Sequence, residues 1–158
     1  MNSLEWSFVD KSEWPRGPWD AEPDKMQWTD EATGLPCLVH RNRHSGALCG
    51  YVGVTEEHAW FAISHDDVPF GGTDAHGGLT YSDFCKPTLG GDGSGPGICH
   101  VPEPGDPEIW WFGFDCAHAF DLMPGLQLPP FDDADEYRDL AYVRAECARL
   151  AAQLARVA

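Results

Sequence analysis

Residues 140–157, LAYVRAECARLAAQLARV, carry the strongest structural signal in the chain. Leu140, Val143, Cys147, Leu150, Leu154 and Val157 recur at alternating three- and four-residue steps. That rhythm is one apolar stripe along an α-helical period of about 3.6 residues. A stripe this short suits a core face better than a coiled-coil seam. Asp132, Asp133 and Asp135 precede it, where the helix dipole favours negative charge, and Asp132 or Asp133 is the expected N-cap. Arg149 and Arg156 lie towards the opposite end.

A helix with one apolar face needs a partner surface, and the sequence upstream supplies strands. Ile109-Trp110-Trp111-Phe112-Gly113-Phe114-Asp115-Cys116 is the most hydrophobic run and reads as an interior strand. Leu38-Val39 and Leu48–Val54 flank the polar segment Arg43-His44-Ser45-Gly46, which predicts a hairpin. In its second arm Cys49, Tyr51 and Gly53 face one way, and Leu48, Val52 and Val54 the other. Both sets are apolar, so that strand is expected to be central. Leu79-Thr80-Tyr81, running towards Phe84-Cys85, gives another strand. The expected architecture is α+β, a mostly antiparallel sheet with the C-terminal helix packed on it.

Residues 1–36 read differently. Pro15, Pro18, Pro23 and Pro36 interrupt any long element, while Trp6, Phe8, Trp14, Trp19 and Trp28 punctuate the stretch. This predicts a Trp/Pro-rich arm packed on a domain spanning 37–158, with an edge strand within Glu5–Val9. Residues 55–76 read as an acidic loop or short helical excursion. Gly90–Gly97 is expected to form no regular element.

With 158 residues the chain fits one domain, able to bury roughly 70% of its unfolded surface. Its net charge of −16 repels phosphate backbones, which argues against ordinary nucleic-acid binding and leaves acidic mimicry of nucleic acid as a further alternative. The first residues, with Glu5, Asp10, Lys11 and Glu13 and no apolar run, predict no secretory leader. No segment approaches the about 20 apolar residues of a membrane span. Cys37, Cys49, Cys85, Cys99, Cys116 and Cys147 are scattered among apolar stretches, so the expectation is a reducing cytoplasm with buried thiols.

Candidate chemistry gathers past the hydrophobic strand. Asp115, His118 and Asp121 stand at three-residue steps and could offer oxygen and imidazole ligands to a divalent metal, or a carboxylate orienting a general base. His76 precedes Gly77-Gly78 and the strand holding Tyr81. A ligand pocket is therefore expected from His76, Tyr81, Trp110 or Trp111, Asp115 and His118. Structural zinc is disfavoured, since neither a C-x2-C knuckle nor an HExxH helix is present. A nucleophile elbow and a phosphate-binding P-loop are absent too.

The stretches CGYVGV (49–54), HGGLTYS (76–82), WWFGFDCAHAFD (110–121) and YRDLAYVRAECARLAAQL (137–154) resemble a group of small bacteriophage and prophage proteins usually labelled hypothetical. The resemblance covers roughly residues 37–154. It implies expression in the cytoplasm of an infected bacterium and an accessory role. Such a protein would bind a host protein or sequester a small, nucleotide-like signal, in the manner of counter-defence. The alternative from the residues is a metal-dependent hydrolase or phosphoesterase using the Asp/His cluster.

Overall fold

The computed structural model describes residues 3–69, 73–88 and 96–157. Strands β1 (Leu4–Trp6), β2 (Lys25–Thr29), β3 (Pro36–Arg41) and β4 (Leu48–Val54) follow one another as an antiparallel meander. β5 (Tyr81–Phe84) lies at the far edge, and β8 (Trp110–Asp115) inserts between β4 and β5. The resulting sheet has six strands in the order β1-β2-β3-β4-β8-β5. β6 (Lys86–Thr88) and β7 (Pro96–Ile98) form a separate two-stranded ribbon. The chain closes with helix α1 (Leu140–Ala155). The α+β expectation is met, and the two most apolar runs are interior strands.

Strand alternation sorts the side chains into two cores. On one face Val39, Leu48, Val52, Val54, Phe112 and Phe114 meet Val143, Cys147, Leu150 and Leu154 of α1. On the other, Leu38, Tyr51 and Trp111 meet Ile98 of the ribbon. The sheet is thus a filling between a helix and a ribbon. Two glycines make this packing possible. Gly50 pairs with Phe114 across β4 and β8, and a Cβ there would strike the Phe114 ring and the Cys147 sulfur. Gly113 pairs with Tyr51 and leaves room for its ring on the opposite face.

Three expectations change. The stretch 1–36 does not simply lie over the domain, because β1 and β2 are hydrogen-bonded members of the sheet. Asp24, fully buried just ahead of β2, accepts from the Phe8 and Val9 N–H groups (2.8 and 2.9 Å), Lys11 (2.7 Å) and Arg41 Nε (2.8 Å). That carboxylate fastens the N-terminal segment to β3. Trp19 and Trp28 are buried anchors, as the aromatic pattern implied.

The helix N-cap is Asp139, whose side chain accepts from the Tyr142 N–H at 2.8 Å. Asp132 and Asp133 stay outside the helix, because residues 121–136 first form a parallel bridge between Asp121 and Glu136. Among the cysteines, Cys85 and Cys99 are joined in a disulfide, while Cys37, Cys49, Cys116 and Cys147 are free. Cys37, Cys116 and Cys147 are buried thiols as expected, whereas Cys85 and Cys99 carry no free thiol.

Of the expected glycine-rich loop, Gly90–Gly95 lie outside the described residues, as do Gly71 and Gly72; Pro96 and Gly97 belong to β7. The described part of 55–76 is turns, held to α1 by His58 Nε2, 2.8 Å from the Leu154 carbonyl. No described helix is long and apolar enough to cross a membrane.

Candidate functional site

β8 ends at Asp115, and the chain doubles back through Cys116–Asp121, with the Asp121 N–H donating to the His118 carbonyl at 3.0 Å. Phe120 takes φ +71° in this turn and stays largely exposed. The turn drives Asp121 inward to 2% exposure. Its carboxylate receives the His118 N–H at 3.1 Å, Arg138 Nε at 3.0 Å and His76 Nε2 at 2.8 Å. Burial by itself would raise the Asp121 carboxyl, but the hydrogen bonds from His76, the His118 N–H and Arg138 outweigh it and hold the group below its ordinary value.

The second nitrogen of His76, Nδ1, stands 2.7 Å from the Tyr142 hydroxyl on α1. Both ring nitrogens are therefore occupied. This node joins four segments: the one before β5, the turn after β8, the approach to the helix, and the helix itself. Its partners are satisfied within the protein, which is the arrangement of a structural polar cluster rather than of a base awaiting a proton.

Asp115 points elsewhere. It accepts from Thr80 Oγ1 at 3.0 Å and from the Ala117 N–H at 3.0 Å. His118 sits between the two groups at the end of the sheet. Its ring is 5.9 Å from that of His76, and its Nε2 lies 3.1 Å from Asp115 Oδ1 but off line, so that no hydrogen bond forms. Gly77, at φ +68°, makes room for the His118 ring against the backbone. Among the described residues no three His, Cys, Asp or Glu side chains converge on a point where a metal could sit. Asp115, His118 and Asp121 do not form the expected metal set, because Asp121 is engaged by His76 and Arg138 and Asp115 by Thr80.

The expected pocket is likewise divided. Trp110 belongs to the helix-side core and donates Nε1 to the Ile63 carbonyl at 3.0 Å. Trp111 and Tyr81 belong to the ribbon side. The sheet thus separates Tyr81, Trp111 and Asp115 from His76, Trp110 and Asp121, with His118 at the end between them.

Tyr81 instead lines a different hollow, of about 610 Å³. Tyr51, Tyr81, Cys49 and Ile98 give it aromatic and apolar walls, and Asn42, His40, Arg43, His44 and Lys86 complete it. The two tyrosine rings meet edge to face at 5.2 Å. The Tyr81 hydroxyl is buried without a hydrogen-bond partner among the described residues. Arg41 also borders the hollow, but its side chain turns to the helix side, where it bonds Asp24, the Gly46 carbonyl and Tyr137.

No carboxylate is among the lining residues, although the chain has 26 Asp and Glu against ten Lys and Arg. Lys86 pairs with Asp83 at 2.7 Å on the exposed side, and Arg43 lies over the Phe8 ring at 4.9 Å. Burial pushes the His40 imidazole down, towards the neutral form, with Nε2 3.1 Å from the Pro96 carbonyl. Burial, and after it Asp115, pushes the Cys49 thiol up to about 12, so it is not a poised nucleophile. Burial and Asp83 raise the Tyr81 hydroxyl as well, keeping it a donor near neutral pH.

The signal that would have found this hollow is the run His40-Arg41-Asn42-Arg43-His44. It packs two of the ten cations and two of the seven histidines into five residues of an otherwise acidic chain. No family model, curated protein or solved structure matches the chain.

Proposed function

We propose that the protein binds a small anionic compound carrying a planar ring, of the nucleotide class, in the hollow over Tyr51 and Tyr81, and acts by holding it. The observation that carries this reading is the cation-bearing, carboxylate-free lining of the hollow in a chain of net charge −16. Its volume lies within the roughly 300–1,000 Å³ of small-molecule pockets, and its mix of aromatic walls with a few polar groups is theirs too. The tyrosines offer a face for a ring, while Arg43 and Lys86 offer charge to a phosphate. Binding is favoured over catalysis because both nitrogens of His76 are occupied and burial holds the Cys37, Cys49, Cys116 and Cys147 thiols protonated. A phage accessory protein that sequesters a small signal, the role implied by the sequence resemblance, fits this reading.

Isothermal titration with AMP, ADP and ATP tests it. Saturable binding that weakens about tenfold in Arg43→Ala and in Lys86→Ala supports the assignment. No heat from any of the three, or equal binding by both variants, overturns it.

A further inference from the structure

The hollow has one wall that is not part of the six-stranded sheet. Lys86 and Ile98 belong to the β6–β7 ribbon, face each other in register, and both line the hollow. Each is also the chain neighbour of a bonded cysteine: Cys85 precedes Lys86 and Cys99 follows Ile98, with their Cα atoms 4.8 Å apart. The covalent link therefore closes the root of the ribbon that walls the hollow.

The two strands of the ribbon are held unequally. The β7 side is stitched to the sheet by His40 to the Pro96 carbonyl (3.1 Å), Lys25 to the Cys99 carbonyl (2.8 Å) and His100 to the Cys37 carbonyl (2.7 Å). Ile98 is buried against Leu38, Tyr51 and Trp111. All three residues of β6 are exposed. Among the described residues β6 has its pairing with β7 and the surface ion pair of Lys86 with Asp83. Without the disulfide, β7 keeps its anchors and β6 keeps few.

We infer that the Cys85–Cys99 disulfide is a redox latch on this pocket, holding β6 and Lys86 in place when oxidised and releasing them when a dithiol reductant opens it. The inference rests on the binding reading above. In the step, one thiolate of the dithiol attacks a cystine sulfur and the other cysteine leaves as a thiolate that takes a proton. The second thiol of the reductant then displaces the mixed disulfide. Two protein thiols result, and the reductant, having given two electrons and two protons, becomes a disulfide.

The test compares air-oxidised protein, the same protein in dithiothreitol, and the double variant Cys85→Ser/Cys99→Ser. Each is checked by thermal melting, and its thiols are counted by mass after alkylation in denaturant. The oxidised chain should label at four cysteines and the reduced chain at six. Amide exchange at Lys86 and Thr88 should quicken at least tenfold on reduction and in the double variant, while exchange in β3 and β4 holds steady. ADP binding should weaken about tenfold in parallel. Unchanged exchange at Lys86 and Thr88 overturns the latch, as does ADP bound equally in both redox states. Faster exchange with no ADP binding in either state supports the latch and overturns the binding reading, so the two failures are distinguishable.

Discussion

The imidazole of His76 stands 2.8 Å from the carboxylate of Asp121, 45 residues away in sequence, and Tyr142 of α1 holds the other ring nitrogen at 2.7 Å. This contact joins the region before β5 to the region before α1. Asp121 is 2% exposed and is shared with Arg138. Removing one member of a buried charge pair leaves the other unpaired and costs about 3–5 kcal/mol. Asp121→Ala is expected to lower the unfolding free energy by about 3 kcal/mol in urea titration. His76→Phe keeps the ring volume and leaves Arg138 on the carboxylate, so its cost should be about 1–2 kcal/mol.

Acid should unfold the protein partly through Asp24 and Asp121. Burial raises both carboxyls, but in Asp24 it is outweighed by Lys11, the Val9 and Phe8 N–H groups and Arg41, and both groups end below their ordinary 3.8. A folded pKa below the unfolded one means that the unfolded chain takes up the proton first as pH falls. The stabilisation is therefore complete above the unfolded value and is lost as pH drops through the folded values. Asp24→Asn should flatten the fall of stability below pH 4, measured by denaturant midpoints across that range. A slope identical to that of the parent chain contradicts the assignment.

Lys25 predicts the opposite limb. It is 2% exposed, donates to the Cys99 carbonyl and lies 4.7 Å from the Trp6 ring, and burial pushes its ammonium down to about 8. Between that value and 10.5 the unfolded chain holds a proton that the folded chain has released, so stability rises with pH there. Lys25→Met should remove about 1–3 kcal/mol of that rise. The difference between the stability curves of the two proteins from pH 7 to 10.5 isolates the effect from other titrating groups.

Tyr81 serves the hollow through its ring, not through its hydroxyl. Its hydroxyl is buried and unpartnered among the described residues, so Tyr81→Phe deletes a polar group that does nothing for the fold. Stability should stay within about 0.5 kcal/mol of the parent or rise slightly. ADP affinity should stay within about twofold of the parent, since the ring that walls the hollow is kept. A large loss of stability in urea would show that the hydroxyl has a partner in the folded protein.

The parts of the fold legible in the sequence were those written in local period. The stripe from Leu140 to Leu154 and the alternation of Leu48–Val54 lie on α1 and β4. β2 was equally periodic, with Met26 and Trp28 on one face and Lys25 and Gln27 on the other, but the prolines around it made the whole stretch read as an arm. The cap at Asp139 was hidden by acidic residues closer to the prolines, since only the tertiary bridge at Glu136 shows that the chain is still extended there.

The site was less legible because register is not local. His76, His118 and Asp121 do meet. Tyr81 does not join them, because pairing Tyr81 with Gly113 aligns it with Trp111 and away from Trp110. Adjacent residues of one strand cannot both face one pocket, so Trp110 and Trp111 were never interchangeable as its wall.

The order in which the ribosome delivers these elements follows from where α1 sits. β1 to β4 emerge first and can pair with their neighbours as they appear, yet Val39, Leu48, Val52, Phe112 and Phe114 face water until residues 140–155 arrive to cover them. A nascent or truncated product ending before Leu140 presents a broad oily surface to the cell, the kind that chaperones hold and proteases clear. Stop codons placed just ahead of Leu140 should therefore remove the protein altogether, while insertions placed after the last helical turn leave that cover intact.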